Sequence, residues 1–479
     1  MFRLKRSYIF GVLGTSSLGL GVYLLSKRTK KSKRILIEND LQEKKMDKMA
    51  EKYEMIASQV FFRHGSRTPL NRELPVGEPG FDSKTLLQSV PHTEVPFFIR
   101  DLDGGPRPIS NIERKYELRK FEGGTHAGQL TKIGREQGFR LGQRLKRKYV
   151  DIWKIIPEQF NPQLVYMRST NINRCIDTLQ CVAAGIWGKN LEKPMEFFVA
   201  PGKDEFLYPA SHRCKSLKGI ETLGIVGLKE VEGLTKLENL LKDKFKLETD
   251  MPIFACFDNI QCKKGNDIPI FDWLEDIKDE MDEAVVKTMN KIRVPSPEYK
   301  TQSIKLGIGR VFDTILNNFE KLDKKLFLYS AHDSTLSTML SGLDSLSTKW
   351  PPFAADISFD LLRDKETGSK IVCLSYCERV IKILPYKEFA DLANRCKITA
   401  EEHRTLCTDV TLHKELYDAI RKEKKRLNYE GTKDREFSYK TEKREEDKEK
   451  PENQEKPVGS ISLSSIPCLR AEGCDVHKV

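Results

Sequence analysis

Three short runs of consecutive apolar residues punctuate the chain, and each ends abruptly in polar chemistry. Gln59-Val60-Phe61-Phe62 leads into Arg63-His64-Gly65-Ser66-Arg67-Thr68-Pro69, Leu164-Val165-Tyr166-Met167 into Arg168-Ser169-Thr170, and Leu326-Phe327-Leu328-Tyr329-Ser330 into Ala331-His332-Asp333. Runs this short, without alternation, have the composition of strands buried on both faces. Between them, apolar residues recur at helical spacing over 131–149, 171–187 and 302–322. Strands alternating with helices predict an α/β fold, a mostly parallel sheet flanked by helices. Ligands of such sheets sit outside the C-terminal strand ends, so the three polar clusters are expected to meet. Two stretches of weaker pattern, about 71–125 and 190–300, read as insertions that build a cap.

The two ends of the chain follow other patterns. Residues 8–25 form an uncharged run of eighteen, diluted by glycine and serine and flanked by basic clusters. As a helix it would span roughly 27 Å, enough for a thin bilayer. Residues 1–37 therefore read as a membrane anchor or a removed targeting segment. Greater positive charge after the run favours a body on the cytosolic side, and an acid-free basic start suits mitochondrial delivery. A secretory-pathway membrane is the alternative. A charged, helix-prone spacer is expected over 38–56 and the folded body over 57–420. Of the 36 residues in 421–456, 24 are charged. That stretch buries too little apolar surface to offset its ordering entropy, so the 421–479 tail is expected to be disordered.

Charge changes the picture once it is located. The 479 residues carry +12, but nine Lys or Arg and no acid fall in residues 1–37, leaving +3 on the rest. A body so close to neutral has no basic stripe for a nucleic-acid backbone, so nucleic acid is excluded as a partner. The eleven cysteines include no Cys-x-x-Cys pair, and no Asn-x-Ser/Thr acceptor occurs. Paired-cysteine zinc spacing is thus absent, and a long passage through a glycosylating lumen is disfavoured.

Gathered at one point, the clusters supply Arg63, Arg67 and Arg168, His64 and His332, and Asp333. Guanidinium forks match phosphate oxygens bidentately, so this set suits a phosphate monoester. A neutral imidazole nitrogen can attack phosphorus and leave again as a phosphohistidine. The departing alkoxide then needs a proton, and Asp333 is the only acid in the clusters able to give one. The other histidines show no ligand spacing, so no metal and no cofactor are expected. Gly104-Gly105 and Gly123-Gly124 lack the Lys-Ser/Thr ending of a nucleotide loop and read as turns.

Arg63-His64-Gly65-Ser66-Arg67-Thr68-Pro69 also resembles the Arg-His-Gly-x-Arg-x-Pro signature of the histidine acid phosphatases, and Ala331-His332-Asp333 resembles their late His-Asp motif. Further stretches look like the mitochondrial lysophosphatidic acid phosphatase branch. They are Gly123-Gly124 with Gly128-Gln129-Leu130-Thr131-Lys132-Ile133-Gly134, Asn161-Pro162-Gln163 through Asn171, and Lys349-Trp350-Pro351-Pro352-Phe353-Ala354. The resemblance covers about 56–410. It implies a phosphoglycerate-mutase-like α/β core with a largely helical cap. His64 is implied as nucleophile, Asp333 as proton donor, and Arg63, Arg67, Arg168 and His332 as phosphate ligands without metal. The expected reaction is hydrolysis of lysophosphatidic acid to monoacylglycerol, the membrane being met through residues 8–25. Little detailed similarity is found over 190–300, which leaves two alternatives: a membrane-bound glycan phosphatase of the same superfamily, or an inactive, membrane-tethered phosphate-binding protein.

Overall fold

β1 (Tyr53–Arg63) is buried along nearly its whole length and runs through the middle of an eight-stranded sheet. A computed structural model of the chain describes residues 44–428 apart from 190, 247–252 and 346–348. The remaining strands are β2 (Phe97–Arg100), β3 (Val165–Ser169), β4 (Met195–Val199), β5 (Leu326–Ala331), β6 (Asp356–Asp364), β7 (Lys370–Tyr376) and β8 (Arg379–Pro385). Their order is β2-β4-β3-β5-β1-β6-β7-β8.

The side from β2 to β1 is parallel, whereas β6, β7 and β8 add an antiparallel meander to β1. The sheet is therefore mixed, not mostly parallel. The cause lies in the connections: short turns after β6 and β7 can only reverse the chain, while a parallel return needs a crossover. β2 and β4 also fall inside the stretches expected to be insertions, so part of 71–125 and of 190–300 belongs to the sheet.

Helices cover both faces. On one side lie α1 (Lys132–Lys146) and α2 (Asn173–Trp187), whose Leu141, Leu145, Leu179 and Val182 pack on Val60, Phe62, Met167 and Leu328. α3 (Lys215–Val226), α4 (Leu234–Phe245), α5 (Ile253–Gly265) and α6 (Lys278–Arg293) follow in the expected cap region. Leu237, Leu241, Phe257, Ile260 and Val285 give α4, α5 and α6 an apolar core of their own, while Leu217 and Ile220 of α3 join a separate cluster with Leu412 and Leu416. On the opposite face of the sheet, α7 (Lys300–Lys321) and α8 (Asp333–Gly342) bury Phe312, Ile315 and Met339 against Phe61, Tyr329 and Phe359. Each such side chain, fully buried, contributes about 1.5–3 kcal/mol.

α9 (Ala400–Cys407) and α10 (Val410–Arg426) close the described chain. α10 continues six residues past the boundary expected at Ile420. Basic residues at a helix C-terminus suit its dipole, and Arg426 pairs with Glu423 and with Glu230 (2.6 Å). At the other end, residues 44–52 are helical and β1 starts at Tyr53, so the expected 38–56 spacer is partly structured. A disulfide joins Cys214 to Cys407 across 193 residues. Residues 8–25 and most of the 421–479 tail lie outside the described residues. Among the described residues, no helix is long and apolar enough to cross a membrane.

β3, β5 and β1 are neighbours in register, with Ser169 opposite Ser330 and Arg63 opposite Ala331. Their C-terminal ends, and hence the three polar clusters, stand side by side.

Candidate active site

The loop after β1 is stitched to its surroundings by backbone. His64 N–H donates to Ala331 O (3.1 Å), and Ala354 N–H donates to His64 O (3.1 Å). Gly65 and Ser66 press against the first turn of α1. A Cβ on Gly65 would lie 2.1 Å from Gly134 O, and one on Gly134 would lie 2.1 Å from Ser66 O. Only glycine at both positions lets the two backbones touch. Thr178 Oγ1 and Gln137 Oε1 accept the N–H groups of Gly65 (3.1 Å) and Ser66 (2.8 Å).

His64 Nδ1 sits 2.9 Å from Gly65 O. A carbonyl only accepts, so Nδ1 carries the hydrogen and Nε2 keeps its lone pair. Burial, followed by the charges of Arg174, Arg67 and Arg63, holds the His64 pKa well below the ordinary imidazole value. The ring is neutral. His332 is held low in the same way, by burial and then Arg174. Its ring lies 5.6 Å from that of His64, with Nε2 3.1 Å from Thr170 Oγ1.

Each of three arginines is held on one side by a carboxylate. Arg63 Nη2 meets Asp333 Oδ2 at 2.8 Å, Arg67 Nη2 meets Asp258 Oδ1 at 2.8 Å, and Arg168 Nη2 meets Glu205 Oε1 at 3.0 Å. A fourth, Arg174, packs its guanidinium 5.0 Å over the Tyr116 ring and has no carboxylate within ion-pair distance among the described residues. None of the four is more than 4% exposed. Yet the Nε groups of all four, and Nη1 of Arg174, have no hydrogen-bond partner among the described residues. Each buried donor left unpaired costs about 1–3 kcal/mol. Four of these donors belong to Arg63, Arg67 and Arg174, whose charges act on the neutral His64 ring, and they suit the oxygens of an anion.

Asp333 opens α8, with its side chain 21% exposed. Burial favours its neutral form, but Arg63, Arg67 and His332, with a hydrogen bond to Trp350, outweigh that and hold its pKa at about 2.

Five of the six residues singled out in the sequence, Arg63, His64, Arg67, His332 and Asp333, are thus brought together, with Arg174 beside them, whereas Arg168 meets Glu205 and the Phe206 ring instead. Three others were missed: Asp258 from α5, Glu205 from the segment after β4, and Arg174 from α2. One further correction concerns ligand spacing. His403 lies one turn before Cys407 and beside Cys214, their ligand atoms all within 4.8 Å of one another. Both thiols are joined in the disulfide. The cluster escaped notice because Cys214 is so remote in sequence.

A family model described as the histidine phosphatase superfamily (branch 2) matches residues 54–244. The human protein named lysophosphatidic acid phosphatase type 6 is 30% identical over 369 residues, covering 73% of this chain and 85% of the human one. A probable acid phosphatase of Dictyostelium discoideum is 27% identical over 347 residues, covering 66% of this chain and 68% of its own. Among solved structures, a phytase from Citrobacter braakii superposes with a TM-score of 0.49 at 12% identity, covering 72% of this chain and 98% of the phytase.

Proposed function

Because this chain belongs to the histidine phosphatase superfamily, and is accordingly a phosphoric monoester hydrolase, we propose that it works through a phosphohistidine formed on His64 Nε2. The reading is carried by the unpaired guanidinium donors around a neutral, lone-pair-bearing imidazole. The substrate phosphate takes those donors and places phosphorus against Nε2. A P–N bond forms as the P–O bond to the leaving group breaks, its electron pair staying on the departing oxygen. Arg63, Arg67, Arg174 and His332 hold the three equatorial oxygens, while Arg168 stays with Glu205. Asp333 gives the alkoxide its proton. Water then attacks phosphorus, the P–N bond breaking as the new P–O bond forms; the water's proton passes to Asp333 and on to the phosphate, which leaves as Arg63 returns to the carboxylate.

Asp333 begins this cycle ionised, so its proton has to be brought. A phosphate monoanion supplies one: when Arg63 turns from the carboxylate to the phosphate, Asp333 loses its strongest attraction and takes the proton.

The substrate we favour is lysophosphatidic acid, hydrolysed to monoacylglycerol. Its support is the name of the 30% identical human relative. The uncharged, basic-flanked residues 8–25 support a membrane contact, at a mitochondrial membrane. A panel of lysophospholipid, sugar-phosphate and aryl phosphate substrates on the full chain tests both levels. The His64→Ala variant should lose every activity together with any acid-labile phosphoenzyme. Turnover of all esters by His64→Ala would end the phosphohistidine reading, and turnover of sugar phosphates alone would end the lipid one.

A further inference from the structure

A second cavity, of about 470 Å³, shares the 205–208 segment with the site just described. Tyr208 lines it and also packs edge-on against His332, 5.3 Å between ring centres. The guanidiniums of Arg168 and Arg310 both pack on Phe206, 4.1 and 4.4 Å from its centre, and Arg310 lines the cavity.

Five cations face this space: Lys203, Arg213, Lys305, Arg310 and Arg404. Two acids line it, Asp204 and Glu205, and Glu205 is already held by Arg168. None of the five cations has a carboxylate within ion-pair distance among the described residues. Arg213 is the sharpest case. Its Nε, Nη1 and Nη2 are all closed off from solvent and have no hydrogen-bond partner. The convergence is also built in. Arg213 precedes Cys214, Arg404 lies one turn before Cys407, and the disulfide pins these two segments together.

A guanidinium taken out of water with nothing to donate to is costly, and like charges gathered around one space repel. An anion relieves both. Forked donors from Arg213, Arg310 and Arg404 match a tetrahedral dianion better than a carboxylate, because several oxygens can be gripped at once. We propose that this cavity is a second anion site, which takes a phosphate group, free or carried on an ester. The assignment does not depend on the reaction at His64.

Calorimetric titration of the full chain at low salt with inorganic phosphate, and separately with phenylphosphonate as a non-hydrolysable ester mimic, tests it. Wild type should take up a second equivalent beyond the one at the catalytic cradle. The Arg310→Gln/Arg404→Gln double variant should keep the first equivalent and weaken the second at least about 100-fold, roughly tenfold for each charge-assisted hydrogen bond removed. Tighter binding of phosphonate would identify an esterified phosphate as the occupant, and tighter binding of inorganic phosphate a free one. A single equivalent in wild type, or a second equivalent untouched by the double variant, overturns the proposal. Should the double variant not fold, Arg404→Gln alone, at an exposed position, reads the same affinity.

Discussion

Asp333 and its proton set the most exposed predictions at the scale of single residues. Held at about 2 in the free protein, the carboxyl is ionised at any working pH. On the proposed mechanism its proton enters with the substrate, whose phosphate loses its second proton near about pH 6. kcat/KM should therefore fall as pH rises through that value, and a pH profile flat into the alkaline range would refute the proton route. Asp333→Asn should slow alkyl esters by about 10²- to 10⁴-fold while sparing aryl phosphates, which leave without help. Equal losses for both would reduce Asp333 to an orienting group. Arg174 makes a separate claim. It is the cation that most depresses both His64 and His332, so Arg174→Met should raise both pKa values. The acid limb of kcat/KM should move to higher pH, and imidazole titration by NMR should show the same displacement. Five of the site residues were legible because each lies in a cluster that follows a strand pattern, and the same rule misled at Arg168, which also ends a strand but turns to Glu205. Asp258 and Glu205 were not, since nothing local to them says that they meet an arginine. Arg174 did leave a signal. It stands in the first turn of a helix, where the dipole favours acids, and such a local contradiction marks a functional constraint.

Elements position these residues, and the contact between the phosphate loop and α1 is the tightest joint. Gly134→Ala puts a methyl 2.1 Å from Ser66 O, which only a backbone shift can relieve. Overpacking of this kind costs about 1–3 kcal/mol. Because Ser66 lies between His64 and Arg67, the shift should also weaken phosphate binding, which a thermal melt with and without phosphate reads out. A lower melting temperature with unchanged phosphate affinity would show that the joint is structural alone. The helices behind the three main strands were legible from periodicity, and their ends moved by only a few residues. The meander was not read, although its signal existed. Ile357, Phe359 and Leu361 alternate with Asp356, Ser358 and Asp360. The polar set is buried as well, because Arg144 reaches Asp356 (3.1 Å) and Lys148 reaches Asp360 (2.6 Å). The hairpin from β7 to β8 hid itself differently. It turns on Cys377 and Glu378, both at positive φ, where Asn-Gly would have announced it.

For the molecule as a whole, the buried imidazoles set the response to acid. Above the ordinary value of 6.5, native and unfolded chains both carry His64 and His332 neutral. Below it the unfolded chain binds protons that the native state refuses, so stability is lost as pH falls toward the depressed native values. Asp333 adds a later loss of the same sign, between its ordinary 3.8 and about 2. The melting temperature should thus drop below about pH 6.5, and inorganic phosphate should offset the drop, by about 2.7 kcal/mol at 100 times its Kd. Scanning fluorimetry across the acid range checks both, and a melting temperature indifferent to phosphate would contradict the cradle. The central place of β1 also bears on how the chain is made. It is the first of the described strands to leave the ribosome, yet its partners β5 and β6 begin only at Leu326 and Asp356. At about 5–20 residues per second, the 262 residues between Arg63 and Leu326 take roughly 13–50 s to synthesise. For all of that time Val60, Phe61 and Phe62 have neither β5 nor β6 beside them, and a nascent chain stopped short of Leu326 carries His64 on an unpaired, aggregation-prone ribbon.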